Sequence, residues 1–153
     1  MKTKTKNRRW LRMGSHRLFG VANKIDDRPT PDEVFGPLNQ EFGFTIDAAA
    51  SPENAKCEKF FTADEDGVSQ IWEGVVWCNP PYSEIGLWVR KAQESRDTAT
   101  SVLLLPASTD VAWFHEWVLP FAEIRFLRGR ITFVGQKAPA PFGSMVAIYR
   151  KVA

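Results

Sequence analysis

The residues best suited to chemistry in this chain are Asn79-Pro80-Pro81-Tyr82, which follow the apolar run Val75-Val76-Trp77-Cys78 without a gap. An exocyclic amine such as N6 of adenine is a poor nucleophile, because its lone pair is delocalised into the ring. Two hydrogen-bond acceptors correct that. The Asn79 side-chain carbonyl and the Pro80 main-chain carbonyl can each take one N–H, drawing the lone pair out of conjugation and stabilising the charge that develops as a methyl group arrives. Consecutive prolines have no N–H and a fixed φ, so they hold an extended turn that no helix absorbs. Tyr82 offers a ring face for stacking a base. The spacing reads as an amino-group methylation site; the competing reading is a turn that merely ends a strand, since Asn-Pro is common in turns.

Such a turn needs a rigid element to aim it. Residues 75–78 are apolar without alternation, the pattern of a strand buried on both faces of a parallel sheet, and ligands bind at the carboxyl ends of such strands. Thr30-Pro31-Asp32-Glu33 predicts a helix start with Thr30 as the cap, and Val34, Phe35, Leu38 and Phe42 then share one apolar face. Phe44-Thr45-Ile46-Asp47 reads as a short strand ending in a carboxylate. A short helix is expected from Ser51-Pro52-Glu53-Asn54, a strand at residues 59–62 and an acidic turn at 63–67. A helix near 84–95 carries Ile85, Leu87, Trp88 and Ala92, and a buried strand at 101–105 stops at Pro106. Ser108-Thr109-Asp110 caps a helix with Trp113, Phe114, Trp117 and Val118, on which His115 is read as structural. Three closing strands are expected at 123–127, 131–134 and 144–149. Helices alternating with strands, then strands joined by turns, imply an α/β fold: a compact Rossmann-like, mostly parallel sheet with antiparallel edge strands.

Composition bounds the function. At 153 residues, 44% hydrophobic and 25% charged, the chain is long enough for one ordinary globular core. It has no run of about 18 apolar residues and no signal-peptide pattern after its basic start, so neither a membrane span nor export is expected, and a cytoplasmic setting is. Cys57 and Cys78 with His16 and His115 make no metal-ligand cluster. The net charge of +2 hides an asymmetry: residues 1–17 hold seven Lys or Arg and no acid, whereas the rest holds 13 basic and 18 acidic residues. Lys2, Lys4, Lys6, Arg8, Arg9, Arg12 and Arg17 therefore form a basic arm suited to phosphate backbone, or else a solvated terminus. The expected organisation is a flexible arm over 1–27 and one catalytic domain over 28–153.

Thr30-Pro31, Phe44-Thr45-Ile46-Asp47-Ala48-Ala49, Asn54-Ala55-Lys56-Cys57, Asp66-Gly67, Trp77 to Tyr82, Leu104-Leu105-Pro106, Asp110, Trp113-Phe114-His115, Arg128-Gly129-Arg130 and Pro141-Phe142-Gly143-Ser144 occur in that order over roughly residues 28–150. In these the chain resembles the phage-type DNA N-6-adenine methyltransferases, the Dam-like family. The resemblance implies an S-adenosylmethionine-dependent methyltransferase acting on N6 of adenine in DNA, with no metal requirement. It places catalysis at Asn79, Pro80, Pro81 and Tyr82. It also implies donor contacts near Thr30, Pro31, Asp47 and Ala48, with Asp66 (or Asp64) as a candidate for the donor's ribose or adenine. Thr30 and Asp47 have competing structural readings, as caps of a helix and a turn. Many methyltransferases place a glycine-rich loop after the first strand, but this chain has Ala48-Ala49-Ala50-Ser51. Arg125, Arg128, Arg130 and Lys137 are the candidates for contacting DNA outside the arm, against the alternative of a solvated strand edge. RNA or protein-glutamine methylation, and a catalytically inactive DNA-binding relative, are the rival functions.

Overall fold

The computed structural model describes residues 28–152; the basic residues from Lys2 to Arg17, and with them the expected arm, lie outside the described residues. Strands β1 (Ile46–Asp47), β2 (Gly74–Cys78), β3 (Ala99–Pro106), β4 (Glu123–Phe126) and β5 (Ser144–Tyr149) form one sheet in the order β1-β2-β3-β5-β4. The first three run parallel, and β5 is antiparallel to both β3 and β4. This is the expected α/β fold, with its antiparallel pairings gathered on the side away from β1.

Period-two alternation divides the core into two layers. Val76, Cys78, Leu103, Leu105, Met145, Ala147 and Tyr149 face one way, onto α2 (Ile85–Glu94) through Ile85, Trp88, Val89 and Ala92, and onto Phe114 and Val118. Trp77, Val102, Leu104, Val146 and Ile148 face the other way, onto Phe35 of α1 (Asp32–Phe42) and onto Ile131 and Phe133. Both layers cover β3, which is why residues 102–105 of that strand are apolar without alternation. The apolar face expected on α1 is the one it uses, with Val34, Leu38 and Phe42 packed around Phe35.

The register of β1 against β2 is set locally. Thr45 Oγ1 accepts from the Val75 N–H and donates to the Val75 carbonyl, both at 3.1 Å. Gly74 makes room for that hydroxyl: its φ is +75°, and a Cβ there would meet Thr45 Oγ1 at 2.7 Å.

Several expected elements are shorter than their patterns implied. Residues 52–54 form a turn rather than a helix, and the 59–62 segment contributes one parallel bridge, Phe60 to Asp47. The helix after Asp110 includes a single π turn, Phe114–Val118, with no side-chain cap. His115 is structural there, Nε2 lying 2.7 Å from the Thr109 carbonyl. Residues 131–134 form no strand: Ile131 and Phe133 are buried as alternation requires, but the segment's hydrogen bonds go to Ala140 and Pro29 instead of to a ladder. Leu87 lies on the exposed side of α2. Among the described residues no helix is long and apolar enough to cross a membrane.

Candidate active site

The parallel strands β1 and β2 end side by side, and their carboxyl ends make the floor of a cleft. Arg28, Pro29, Thr30, Asp47, Ala49, Asn54, Lys56, Trp77 and Asn79 line it. Three residues singled out from the sequence, Thr30, Asp47 and Asn79, thus come from three separate segments to one place.

Asn79 leaves β2 half-buried, and its Nδ2 donates to the Arg28 carbonyl at 2.5 Å. That bond commits the nitrogen arm of the planar amide, so the orientation of the oxygen arm is fixed with it. Pro80 is buried beside it, and the Pro81 carbonyl accepts from the Glu84 N–H at 3.1 Å, turning the chain into a 3-10 turn, Tyr82–Glu84. The two prolines therefore do what their covalent geometry demands, keeping the segment extended until the 3-10 turn begins at Tyr82.

Tyr82 does not line the cleft, but the guanidinium of Arg28, which does, lies over its ring. Its ring meets Phe142 and Phe133 near edge-on, with centroids 5.6 and 6.4 Å away. Its hydroxyl is buried without a hydrogen-bond partner, and burial holds the phenol well above its ordinary pKa. Arg28 and Phe133 also line a second cleft of about 420 Å³, walled by residues 135–141.

Asp47 is 3% exposed at the end of β1. Its Oδ1 accepts from the Ala49 N–H at 3.2 Å and its Oδ2 from the Lys56 N–H at 3.0 Å. Burial pushes its carboxyl up to about 6, against those two hydrogen bonds, which favour the charged form. The carboxylate thus organises the loop after β1, the capping reading, whatever else it touches. Lys56 lines the same cleft while its ammonium pairs with Asp32 at 3.1 Å, over the Phe35 ring.

Thr30 is not the helix cap. The position before α1 is Pro31, whose carbonyl accepts from the Val34 and Phe35 N–H groups, and no side chain caps the helix. Thr30 Oγ1 is buried and has no partner. A buried hydroxyl without a partner is costly, and this one borders the cleft.

Other expected donor contacts are not brought to the cleft. Ala48 turns its side chain into the core, with its N–H on the Trp77 carbonyl. Its carbonyl explains a glycine: a Cβ on Gly67 would lie 2.1 Å from it. Asp66 is exposed on its turn with a φ of +54°, and Ser69 Oγ donates to its Oδ2 at 2.5 Å. Pro31 is buried under the start of α1 and does not line the cleft. Arg125, expected at DNA, is instead engaged bidentately with Glu41 at 2.7 and 2.8 Å and with Glu123 at 3.0 Å. Arg128, Arg130 and Lys137 are exposed.

Arg28, Asn54, Lys56 and Trp77 carry no role in a reading of sequence spacing, yet all line the cleft. Lys56 and Asn54 sit in the Asn54-Ala55-Lys56-Cys57 run, which was a usable signal; Arg28 precedes Thr30 by two residues and had none.

A protein-family model described as DNA N-6-adenine-methyltransferase (Dam) matches residues 21–151. This chain belongs to the Dam family of DNA N-6-adenine-methyltransferases. It is similar to the DNA N-6-adenine-methyltransferase of Escherichia phage T1, 38% identical over 107 residues that cover 67% of this chain and 45% of that protein. It is also similar to that of Haemophilus phage HP1, 32% identical over 114 residues that cover 71% of this chain and 66% of that protein. The chain therefore spans less than half of the first relative and about two thirds of the second.

Proposed function

We propose that this Dam-family chain transfers a methyl group from S-adenosylmethionine to N6 of an adenine in DNA. The observation that carries the reading is the junction at Asn79, which borders the cleft of Thr30 and Asp47 on one side and leads through Pro80 and Pro81 to Tyr82 on the other. Donor and acceptor would meet at the amide.

The polar groups fit one end of the donor. Thr30 Oγ1 is an orphan hydroxyl, and each Asp47 oxygen keeps a second lone pair for the donor's ammonium. The enclosed space is about 50 Å³, well below the roughly 300–1,000 Å³ of pockets that take a whole ligand. Thr30 and Asp47 would then hold the amino-acid end of the donor in the cleft. When bound, the donor supplies an electrophilic methyl on a sulfonium, so no metal is needed to activate it.

The chain's own residues prepare the nucleophile. A target adenine leaves the duplex stack, at a cost of a few kcal/mol, and rests on the Tyr82 ring. Asn79 Oδ1 and the Pro80 carbonyl each accept one of its N6–H bonds. With the donor bound, the N6 lone pair so freed would take the methyl as its bond to sulfur breaks, and the methylated amine would lose one proton to solvent. Preorganised acceptors are effective here because they are rigid before the charge develops. The exposed Arg128, Arg130 and Lys137, with the basic residues from Lys2 to Arg12, supply phosphate contacts that position the duplex.

Incubation with tritiated S-adenosylmethionine and DNA, RNA or protein, followed by digestion, tests this. Label in N6-methyldeoxyadenosine is expected. Label confined to RNA or to glutamine would move the reaction to those substrates, and donor binding without label would leave a DNA-binding relative.

A further inference from the structure

The Arg28 guanidinium lies over the Tyr82 ring, its central carbon 5.2 Å from the centroid and equally 5.2 Å from the Phe142 centroid. Tyr82 is otherwise partly buried: the ring packs against both core layers, and the Phe133 ring stands against it at 84°. Arg28 thus occupies a ring face on which a base could otherwise stack. The main chain is tied at Arg28 and at the residue after it, with the Arg28 carbonyl accepting from Asn79 Nδ2 and the Pro29 carbonyl accepting from the Val134 N–H at 3.0 Å. The side chain can therefore swing away while the backbone stays in place.

A guanidinium is planar, delocalised and weakly hydrated, so it stacks on aromatic faces much as a small heterocycle does. We propose that Arg28 is a positioning residue whose guanidinium occupies the Tyr82 face in the free protein and is exchanged for the target base. This rests on the reading of Tyr82 as the base platform. The exchange adds a threshold. A base with no exocyclic amine offers only its stacking against that of the guanidinium, whereas an amino-bearing base also gains the acceptors at Asn79 and Pro80. Arg28 would thereby weaken capture of every base by about the same factor, so that only a base whose amine also engages Asn79 and Pro80 stays bound when ligand is scarce.

Binding of two neutral nucleosides, adenosine and purine riboside, which lacks the amine, tests the exchange without phosphate contacts. Calorimetry on the full chain, with S-adenosylhomocysteine saturating the donor cleft, compares wild type with Arg28→Ala, Arg28→Lys and Tyr82→Ala. Arg28→Ala should bind both nucleosides about 3- to 30-fold more tightly than wild type, the range set by one desolvated cation–π contact. Equal or weaker binding by Arg28→Ala, with Tyr82→Ala weakened, overturns the exchange and leaves the platform standing. Wild-type affinity in Tyr82→Ala, or no binding by any variant, overturns both.

To separate the side chain from the carbonyl that holds Asn79, the wild-type protein supplies a second readout. With 15N-labelled arginine, the Arg28 Nε–H resonance, assigned by its loss in Arg28→Lys, should lie upfield from the Tyr82 and Phe142 ring currents. It should move downfield as adenosine saturates; a resonance unmoved at saturation overturns the proposal.

Discussion

The two sides of the cleft are built on opposite plans. At the end of β1 the functional-looking group, the Asp47 carboxylate, is buried and both of its oxygens accept main-chain N–H groups from the loop it starts. At the end of β2 the backbone is held by covalent means, the two prolines, and by one tether from Asn79 to Arg28. There the polar atoms near the site are left over rather than engaged, with Tyr82 hydroxyl and Thr30 Oγ1 both buried and unpartnered. A side chain that builds architecture and a side chain available for chemistry thus sit on neighbouring strands. Residue type does not tell them apart, whereas their hydrogen-bond partners do.

The sharpest way to break that comparison is Asn79→Ala. It should lower kcat by on the order of 100- to 1,000-fold, the effect of one preorganised group, while donor affinity stays within severalfold. Full turnover in this variant would remove the assignment of the amide as an acceptor.

Asp47 should respond in the opposite currency, stability. Asp47→Ala strands two buried N–H groups and should lower unfolding free energy by about 1–3 kcal/mol in urea denaturation, with weaker donor binding alongside. An unchanged denaturation midpoint would contradict the architectural role. The pH dependence follows from burial, which raises the carboxyl from 3.8 to about 6. Between those values the folded chain holds a proton that the unfolded chain has released. Stability therefore falls as pH rises from about 4 to about 6, by up to about 3 kcal/mol, and is flat in this respect above it. Asp47→Asn should erase that slope in melts across the window. Donor affinity should rise over the same range, since an ionised Asp47 favours the donor's ammonium.

Tyr82 separates stacking from hydrogen bonding. Tyr82→Ala should weaken capture of the flipped base by about 1–3 kcal/mol, read as a raised KM for DNA. Tyr82→Phe should be mild in activity and neutral or stabilising in melts, because the hydroxyl it removes is buried without a partner. Equal damage from both would assign the hydroxyl a role.

The smallest expected effect is the least local. Deleting residues 1–17 should weaken DNA binding evenly across sequences and flatten the slope of log affinity against log salt by about 0.9 per lost phosphate contact. Sequence preference should persist, because phosphate contacts position while base-edge contacts specify. An unchanged salt slope would make the arm a solvated terminus, and loss of preference alone would make it a base reader.

What the sequence determined by itself was local and covalent. Asn79 to Tyr82 must leave a buried strand as a rigid turn, because apolar residues without alternation need cover on both faces and two consecutive prolines, with fixed φ and no N–H, favour an extended turn over a helix. The fold class followed from the same patterns, and the apolar face of α1 packs as its spacing required. Residues 131–134 form no strand because their hydrogen-bond partners, Pro29 and Ala140, lie outside any ladder, whereas residues 52–54 close local bonds to Ser51 and stop at a turn. Tertiary structure decided the rest. Thr30 reads equally well as a cap until Pro31 is found in that place, and nothing in the sequence signals that Glu41, 84 residues away, lies on the Arg125 guanidinium. Arg28 had no signal at all, because its importance lies in a carbonyl bonded to a side chain 51 residues along and in a guanidinium set over two rings from different loops. Periodicity records which face of an element is buried; it holds no record of what distant segment lands on that face, and the chemistry of this cleft is made where such segments meet.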